Sequence, residues 1–184
     1  MDAQEHFDGR YEVEEKFRDV NLAELRQKLA ELGAKPFIEG GSETDIYFDR
    51  GEGELSAKNQ AFVLRELRPS GRVLIISKGP EPDACSALET KGFDQAVELF
   101  EGLGYREIRR LEKQRDVYFL GDCHITLDDV APFGQFAEVA IMVKTKMELT
   151  AAREKVRHTI GLLGLDHATV ETRSYADMFD EMTD

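Results

Sequence analysis

Apolar residues recur along this chain at two periods, one helical and one strand-like, and the two divide it into elements. Helical spacing starts after Asn21, a residue type suited to an N-cap, with Glu24 three positions on. Leu22, Leu25, Leu29 and Leu32 then form one stripe, which Gly33 ends. A second stripe of Val97, Phe100 and Leu103 predicts a helix over 94–103 that stops at Gly104. A third helix begins after Thr150 and carries Val156, Ile160 and Leu163. The fourth opens at Ser174, with Asp177 in the capping-box position. Alternating patterns between them predict strands over 11–17, 44–49, 61–68, 72–78, 113–120, 123–129 and 136–143. Strands outnumber helices and follow one another in hairpin-like succession. The fold class is therefore α+β with a mostly antiparallel sheet, one domain over 1–184, able to curl into a closed or nearly closed β-barrel with the helices packed outside.

The chain also repeats itself faintly. Leu32-Gly33 is followed by Asp45-Ile46-Tyr47-Phe48, and Leu103-Gly104 by Asp116-Val117-Tyr118-Phe119, with the same interval from glycine to aspartate. Two similar halves, each a helix feeding a strand, would produce this echo.

Alternation also assigns side chains to faces, because successive residues of a strand point to opposite sides. Along YEVEEKF, Glu12, Glu14 and Lys16 share one face and Tyr11, Val13 and Phe17 the other, with Glu15 among them. Arg65 shares a face with Val63 and Leu67, and Lys78 with Leu74 and Ile76. Lys113 and Arg115 go with Val117 and Phe119, Asp128 with His124 and Thr126, and Glu138 with Phe136, Ala140 and Met142. Any one of these strands could have a solvated face with incidental charge. Taken together they place charges on faces shared with apolar residues. Buried charge persists only when paired or ligated. Carboxylates suit hard divalent cations such as Mg²⁺ or Mn²⁺, and lysine and arginine suit phosphate oxygens. A cavity lined by both implies a metal-bound triphosphate.

Net charge sharpens this reading. With 37 acidic against 24 basic residues the chain carries −13 at pH 7, which repels nucleic acid and anionic membranes unless cations are concentrated in one place. No apolar run reaches membrane-spanning length; the longest, VLII at 73–76, is strand-sized. The start, MDAQEHFDGR, is polar and acidic, unlike a targeting peptide. Cys85 and Cys123 make neither a metal spacing nor a disulfide framework, and read as reduced thiols of a cytoplasmic protein.

Glu12-Val13-Glu14-Glu15-Lys16 fits the ExExK signature of the CYTH, or triphosphate tunnel metalloenzyme, superfamily. DIYFD, VLRELRPSG, SKGP, EKQRDVYF, HITLD, GQFAEVAIM and RSY follow in order, so that nearly the whole chain resembles the bacterial class IV adenylate cyclases. The sequence departs from the wider superfamily in three places. Val63 stands where many members have a first arginine, Ala140 where they have a second glutamate, and Pro132-Phe133 precedes Gly134 in place of glycine-leucine. The first two departures are shared by the cyclase branch.

The resemblance implies an antiparallel barrel whose tunnel holds ATP and divalent metal, commonly in a homodimer. The implied reaction is attack of the ribose 3′-hydroxyl on the α-phosphorus, giving cyclic AMP and pyrophosphate. On this reading Glu12, Glu14 and Glu138 ligate Mg²⁺ or Mn²⁺, and Asp128 is a further ligand or the group that takes the proton. Lys16, Arg65, Lys78, Lys113 and Arg115 hold the β- and γ-phosphates and stabilise the leaving charge, and Lys16 and Lys113 count with Asp128 as catalytic. Phe7 is a weak candidate for the adenine pocket. His124 could reach the tunnel, though a lone histidine on a strand is usually structural; Tyr47 and Tyr118 read as packed in the barrel wall, and Ser174 is sufficiently explained as a helix cap. A triphosphatase using water as nucleophile and a non-catalytic nucleotide or polyphosphate sensor are the rival readings.

Overall fold

The computed structural model describes residues 6–51 and 53–183. Nine strands form one antiparallel sheet: β1 Tyr11–Arg18, β2 Lys35–Asp49, β3 Ala61–Arg68, β4 Arg72–Lys78, β5 Cys85–Thr90, β6 Arg106–Leu120, β7 Cys123–Val130, β8 Gly134–Val143 and β9 Thr169–Val170. Their order across the sheet is β5-β4-β3-β2-β6-β7-β8-β1-β9. Four helices, α1 Leu22–Glu31, α2 Phe93–Gly102, α3 Leu149–Leu163 and α4 Tyr175–Thr183, accompany it.

The expected halves are present in this order. Strands β1 to β4 with α1, and β5 to β8 with α2, have the same succession of elements, and each half's first strand pairs with the other half's last. The two longest strands, β2 and β6, follow the two helices and pair with each other at the sheet's centre. The echo does not extend to side-chain direction, however. Asp45 is buried against Arg65 and Lys113, whereas Asp116 accepts from Arg26 and from the Gly40 N–H, on the side where α1 packs.

The sheet curls without closing, so a continuous barrel is not formed. At the seam β1 meets the approach to β5 through a single bridge, Tyr11 to Ala84. The Glu12 N–H donates to Asp83 O at 2.7 Å, and the Cys85 N–H to Arg10 O at 2.9 Å. The far half of β1 pairs instead with the two-residue β9. Several strands exceed what alternation suggests: β6 starts at Arg106, seven residues before its expected bound, β9 has no expected counterpart, and β2 and β5 differ most clearly. Strand β2 begins at Lys35 because its Pro36 and Gly40-Gly41 sit at register irregularities against β6, which break the alternation without ending the strand. Strand β5 was not expected, since four of the six residues in CSALET are exposed and its pattern is weak.

Helices α1, α2 and α3 bury the outer face of the sheet. Asn21 Oδ1 accepts from the Ala23 and Glu24 N–H groups, capping α1, whose Leu22, Leu25 and Leu29 pack with Val156, Ile160 and Leu163 of α3 over Ile125, Val139 and Ile141. Full burial of a leucine or isoleucine is worth about 1.5–3 kcal/mol, so this cluster anchors β7, β8 and β1 firmly. Ala96 and Phe100 of α2 cover Ile46, Phe48 and Leu64. Helix α4 starts with the expected box: Ser174 Oγ and Asp177 satisfy each other's backbone N–H groups. It packs Tyr175 and Met178 on Leu111, Val130 and Phe136, and Phe133 meets Phe179 edge-on at 4.6 Å. Helix α4 thus packs on the inner, charged face, and the rest of that face, left free by α1, α2 and α3, lines a cavity.

Candidate active site

That cavity has a volume of about 890 Å³. Every charge the alternation placed on a mixed face lines it except Asp128. Glu12, Glu14 and Lys16 enter from β1, Arg65 from β3, Lys78 from β4, Lys113 and Arg115 from β6, and Glu138 from β8. The parity of each strand directs them there, because the opposite parity is committed to the helices.

The cations do not stand uncompensated, and the carboxylates do not form one cluster. Arg65 donates to both oxygens of Asp45, at 2.7 and 2.8 Å, and Lys113 Nζ donates to Asp45 Oδ2 at 2.9 Å. Arg115 grips both oxygens of Asp128, with Nε to Oδ1 at 2.6 Å, and its Nη2 also donates to Glu138 Oε2 at 2.8 Å. Asp128 has no exposed surface and also accepts from the Tyr175 hydroxyl at 2.7 Å, so it stands behind Arg115 and away from the cavity wall. Burial and the charges of Glu138 and Asp128 push the Tyr175 hydroxyl far upward, which keeps it a donor. Lys78 lies apart from the other cations, 3.0 Å from Glu12 and 3.9 Å from Glu14.

Lys16 differs from the rest. It is buried, no carboxylate of the described residues lies within 4 Å of its ammonium, and that group sits 4.4 Å from the centre of the Tyr175 ring. An aromatic face holds a cation in place without neutralising it.

Among the described residues no three metal-ligating side chains converge. The fit to a divalent cation rests on a pair. Glu14 lies opposite Ala140 in the β1–β8 ladder, so Glu138 is its diagonal neighbour on the same face. Burial, and after it the charge of Glu138, raises the Glu14 carboxyl to about 7. Burial also opposes ionisation of Glu138, but Arg115, Lys16 and Lys113 outweigh it and bring that carboxyl to about 2. Two carboxylates in mutual repulsion suit Mg²⁺ or Mn²⁺, and Mg²⁺ is commonly held by one or two carboxylates plus substrate phosphates and water. Glu12 is held ionised for a different reason: burial opposes it, but Lys78 and then His124 overcome the cost.

The cavity is polarised along its strands. In the β6–β7 ladder Arg115 pairs with Asp128 and Phe119 with His124, four residues or roughly 13 Å away. The His124 end is aromatic. Phe7 and Phe37 line it, with their rings 5.7 Å apart, and Phe7 lies 5.0 Å from the His124 ring. The Asp128 end carries Arg115, Lys113 and Lys16 under Tyr175.

Several cavity residues were missed or left open by the sequence reading. His124, which could reach the tunnel on that reading, lines the cavity 3.6 Å from Glu12. Tyr47 lines the cavity, whereas Tyr118 faces outward, donating to Glu39 at 3.0 Å. Glu43, Asp45 and Tyr175 belong to the site as well. Glu43 and Asp45 could have been found by carrying the face test through β2, whose inner parity matches Tyr47. Tyr175 could not, because it comes from a helix.

The CYTH domain family model matches residues 10–175, and the chain belongs to this family. It is 38% identical over 177 residues to adenylate cyclase CyaB of Aeromonas hydrophila, covering 96% of this chain and 93% of that one. A solved structure of a candidate adenylate cyclase from Vibrio parahaemolyticus is 33% identical and superposes with a TM-score of 0.87, covering 94% of this chain and 99% of that one. A Hippeastrum protein described as having a dominant triphosphatase activity shares the fold at 13% identity, with a TM-score of 0.64 over 94% of this chain and 96% of its own. Among the described residues no helix is long and apolar enough to cross a membrane.

Proposed function

We propose that this CYTH protein is an adenylate cyclase that converts ATP to 3′,5′-cyclic AMP and pyrophosphate. The observation that carries the reading is the polarity of the cavity. An inorganic triphosphate needs only the cationic end, whereas an aromatic end roughly 13 Å further along the strands suits the base of a nucleoside triphosphate. Its likeness to the Aeromonas cyclase, over nearly the whole of both chains, points the same way.

Lys113, Arg115 and Arg65 would hold the terminal phosphates, with their guanidinium and ammonium groups oriented in advance by Asp45 and Asp128. Lys16, which no carboxylate of the described residues approaches within 4 Å, would meet the charge that gathers on the departing pyrophosphate. The bond from O3′ to the α-phosphorus forms as the bond to the β-phosphate oxygen breaks, and the hydroxyl proton is released. Glu14 and Glu138, with Glu12 nearby, would hold Mg²⁺ or Mn²⁺, which supplies Lewis acidity at the α-phosphate and activates the hydroxyl. Asp128 is better suited to holding Arg115 than to taking the proton, because its two oxygens are engaged by Arg115 and Tyr175. A homodimer and a cytoplasmic setting go with the family likeness.

Incubating the protein with ATP and Mn²⁺ and resolving the products tests this reading. Cyclic AMP and pyrophosphate in equal amounts are expected. Orthophosphate with ADP would replace the cyclase by a triphosphatase, and unchanged ATP would leave a binding protein.

A further inference from the structure

The cationic end contains a carboxylate whose bonding sets it apart. Glu43 of β2 is 5% exposed and lines the cavity. Its Oε2 stands 3.1 Å from Lys113 Nζ, 3.3 Å from Arg65 Nε and 3.5 Å from Arg115 Nη1. Even so, that oxygen is buried and has no hydrogen-bond partner among the described residues. The hydrogen bonds these cations make go to other carboxylates: Arg65 and Lys113 to Asp45, Arg115 to Asp128 and Glu138. Asp45 and Asp128 therefore fix the cations by directed bonds, while Glu43 supplies charge alone.

One oxygen set among three cations at these distances occupies the kind of position a phosphate oxygen would take. A buried carboxylate oxygen without hydrogen bonds is also the cheapest of these partners to exchange, since a well-bonded one would cost its bonds as well. The strand that carries it is irregular nearby. Register with β6 shifts between Ile38 and Gly41, and Gly40 has φ +65°. Such bulges re-aim the side chains that follow them.

We propose that Glu43 is a displaceable counter-ion. In the ligand-free protein it neutralises Lys113, Arg65 and Arg115; it yields them to a phosphate group of the substrate and reclaims them as the polyphosphate product departs. It thereby sets an upper limit on affinity for pyrophosphate. The inference rests on the reading that this end of the cavity takes a polyphosphate, and does not depend on cyclisation.

Calorimetric titration with inorganic tripolyphosphate and with pyrophosphate, in EDTA, tests it on three variants. Glu43→Gln keeps the shape and removes the charge, and should bind both ligands about tenfold more tightly than the parent, a difference of about 1.4 kcal/mol. Glu43→Asp, which keeps the charge but draws it back from the cations, should shift affinity the same way by less. It also serves as the measurement should the glutamine variant not fold. Asp45→Asn loosens Arg65 and Lys113 and should bind more weakly. Unchanged or weaker binding by the Glu43 variants, with normal binding by the parent, overturns the role of Glu43 alone. No polyphosphate binding by the parent overturns the reading of the site and the counter-ion with it.

Discussion

Neutralising Glu14 should stabilise the ligand-free fold above pH 7, and neutralising Glu12, two residues away on the same face, should weaken it. The folded protein raises the Glu14 carboxyl from 4.5 to about 7, through burial and the charge of Glu138. Across that interval the folded state binds more protons than the unfolded chain, so stability falls as pH rises, and the whole cost is present once both forms are ionised. A tenfold change in proton affinity is worth about 1.4 kcal/mol, which would make the interval worth about 3 kcal/mol for a fully shielded group. The Glu14 side chain is 29% exposed, opening on the cavity, and solvent there reduces the cost to about 1–2 kcal/mol. For a chain of this size Glu14→Gln should then raise the melting temperature by about 2–8 °C at pH 8.5. The gain should shrink towards zero near pH 5, where Glu14 is protonated in the folded protein.

Glu12 behaves oppositely. Lys78 at 3.0 Å and His124 hold its carboxyl well below the ordinary value against the cost of burial. Its contribution is present above the unfolded value of 4.5 and is lost as pH falls through the lower folded value. Glu12→Gln strands Lys78 and should lower the melting temperature at pH 8.5. Treating the cavity carboxylates as one mutually repelling set would have both variants stabilise; the observed pairing separates them. Scanning calorimetry without metal from pH 5 to 8.5 decides the matter. A Glu14→Gln protein that melts at or below the parent at pH 8.5, or a gain that persists unchanged at pH 5, would refute the reasoning.

Two further tests address the phosphate end. Lys113→Ala and Arg115→Ala should each weaken tripolyphosphate binding while adenosine binding barely changes; equal losses for both ligands in calorimetry would indicate general misfolding. ATP at about a hundred times its dissociation constant, with Ca²⁺ to slow turnover, should stabilise the fold by roughly 3 kcal/mol. AMP at the same concentration should give a much smaller rise in melting temperature, and equal small shifts for ATP, tripolyphosphate and AMP would remove the charges from any binding role.

How far the sequence could be read follows from what strand parity encodes. Parity states which face a side chain takes, and it directed Glu12, Lys16, Arg65, Lys78, Lys113 and Glu138 to one cavity. It cannot state depth. Asp128 has the right parity, but Arg115 and Tyr175 enclose it from the cavity side. Repeated local sequence is a poorer guide than parity. Asp45-Ile46-Tyr47-Phe48 and Asp116-Val117-Tyr118-Phe119 look equivalent, yet Asp45 is inside with Tyr47, and Asp116 is outside with Tyr118. A one-residue difference in phase exchanges the faces of a whole strand, and irregular pairing near Gly41 and again at Phe48 allows it. Residues brought by α4 carry no strand signal, so Tyr175 is marked in the sequence only by its place in RSY, and its contact with Asp128 and Lys16 is visible only in three dimensions.

Ion pairing explains how a cavity with so many buried charges is tolerated, and what it gains. A buried ion pair roughly offsets its own desolvation, so Asp45 and Asp128 are poor candidates for stabilising the fold as such. Their effect is geometric: each guanidinium or ammonium is already aimed before an anion arrives, and little reorganisation remains to be done on binding. Full neutralisation would leave nothing to attract that anion, in a chain whose net charge is −13. Two departures prevent it. Glu43 compensates three cations without forming bonds that must be broken, and Lys16 is held by the Tyr175 ring, which spends none of its charge. The cavity is thus ordered by the carboxylates that bond and kept responsive by the two groups that do not.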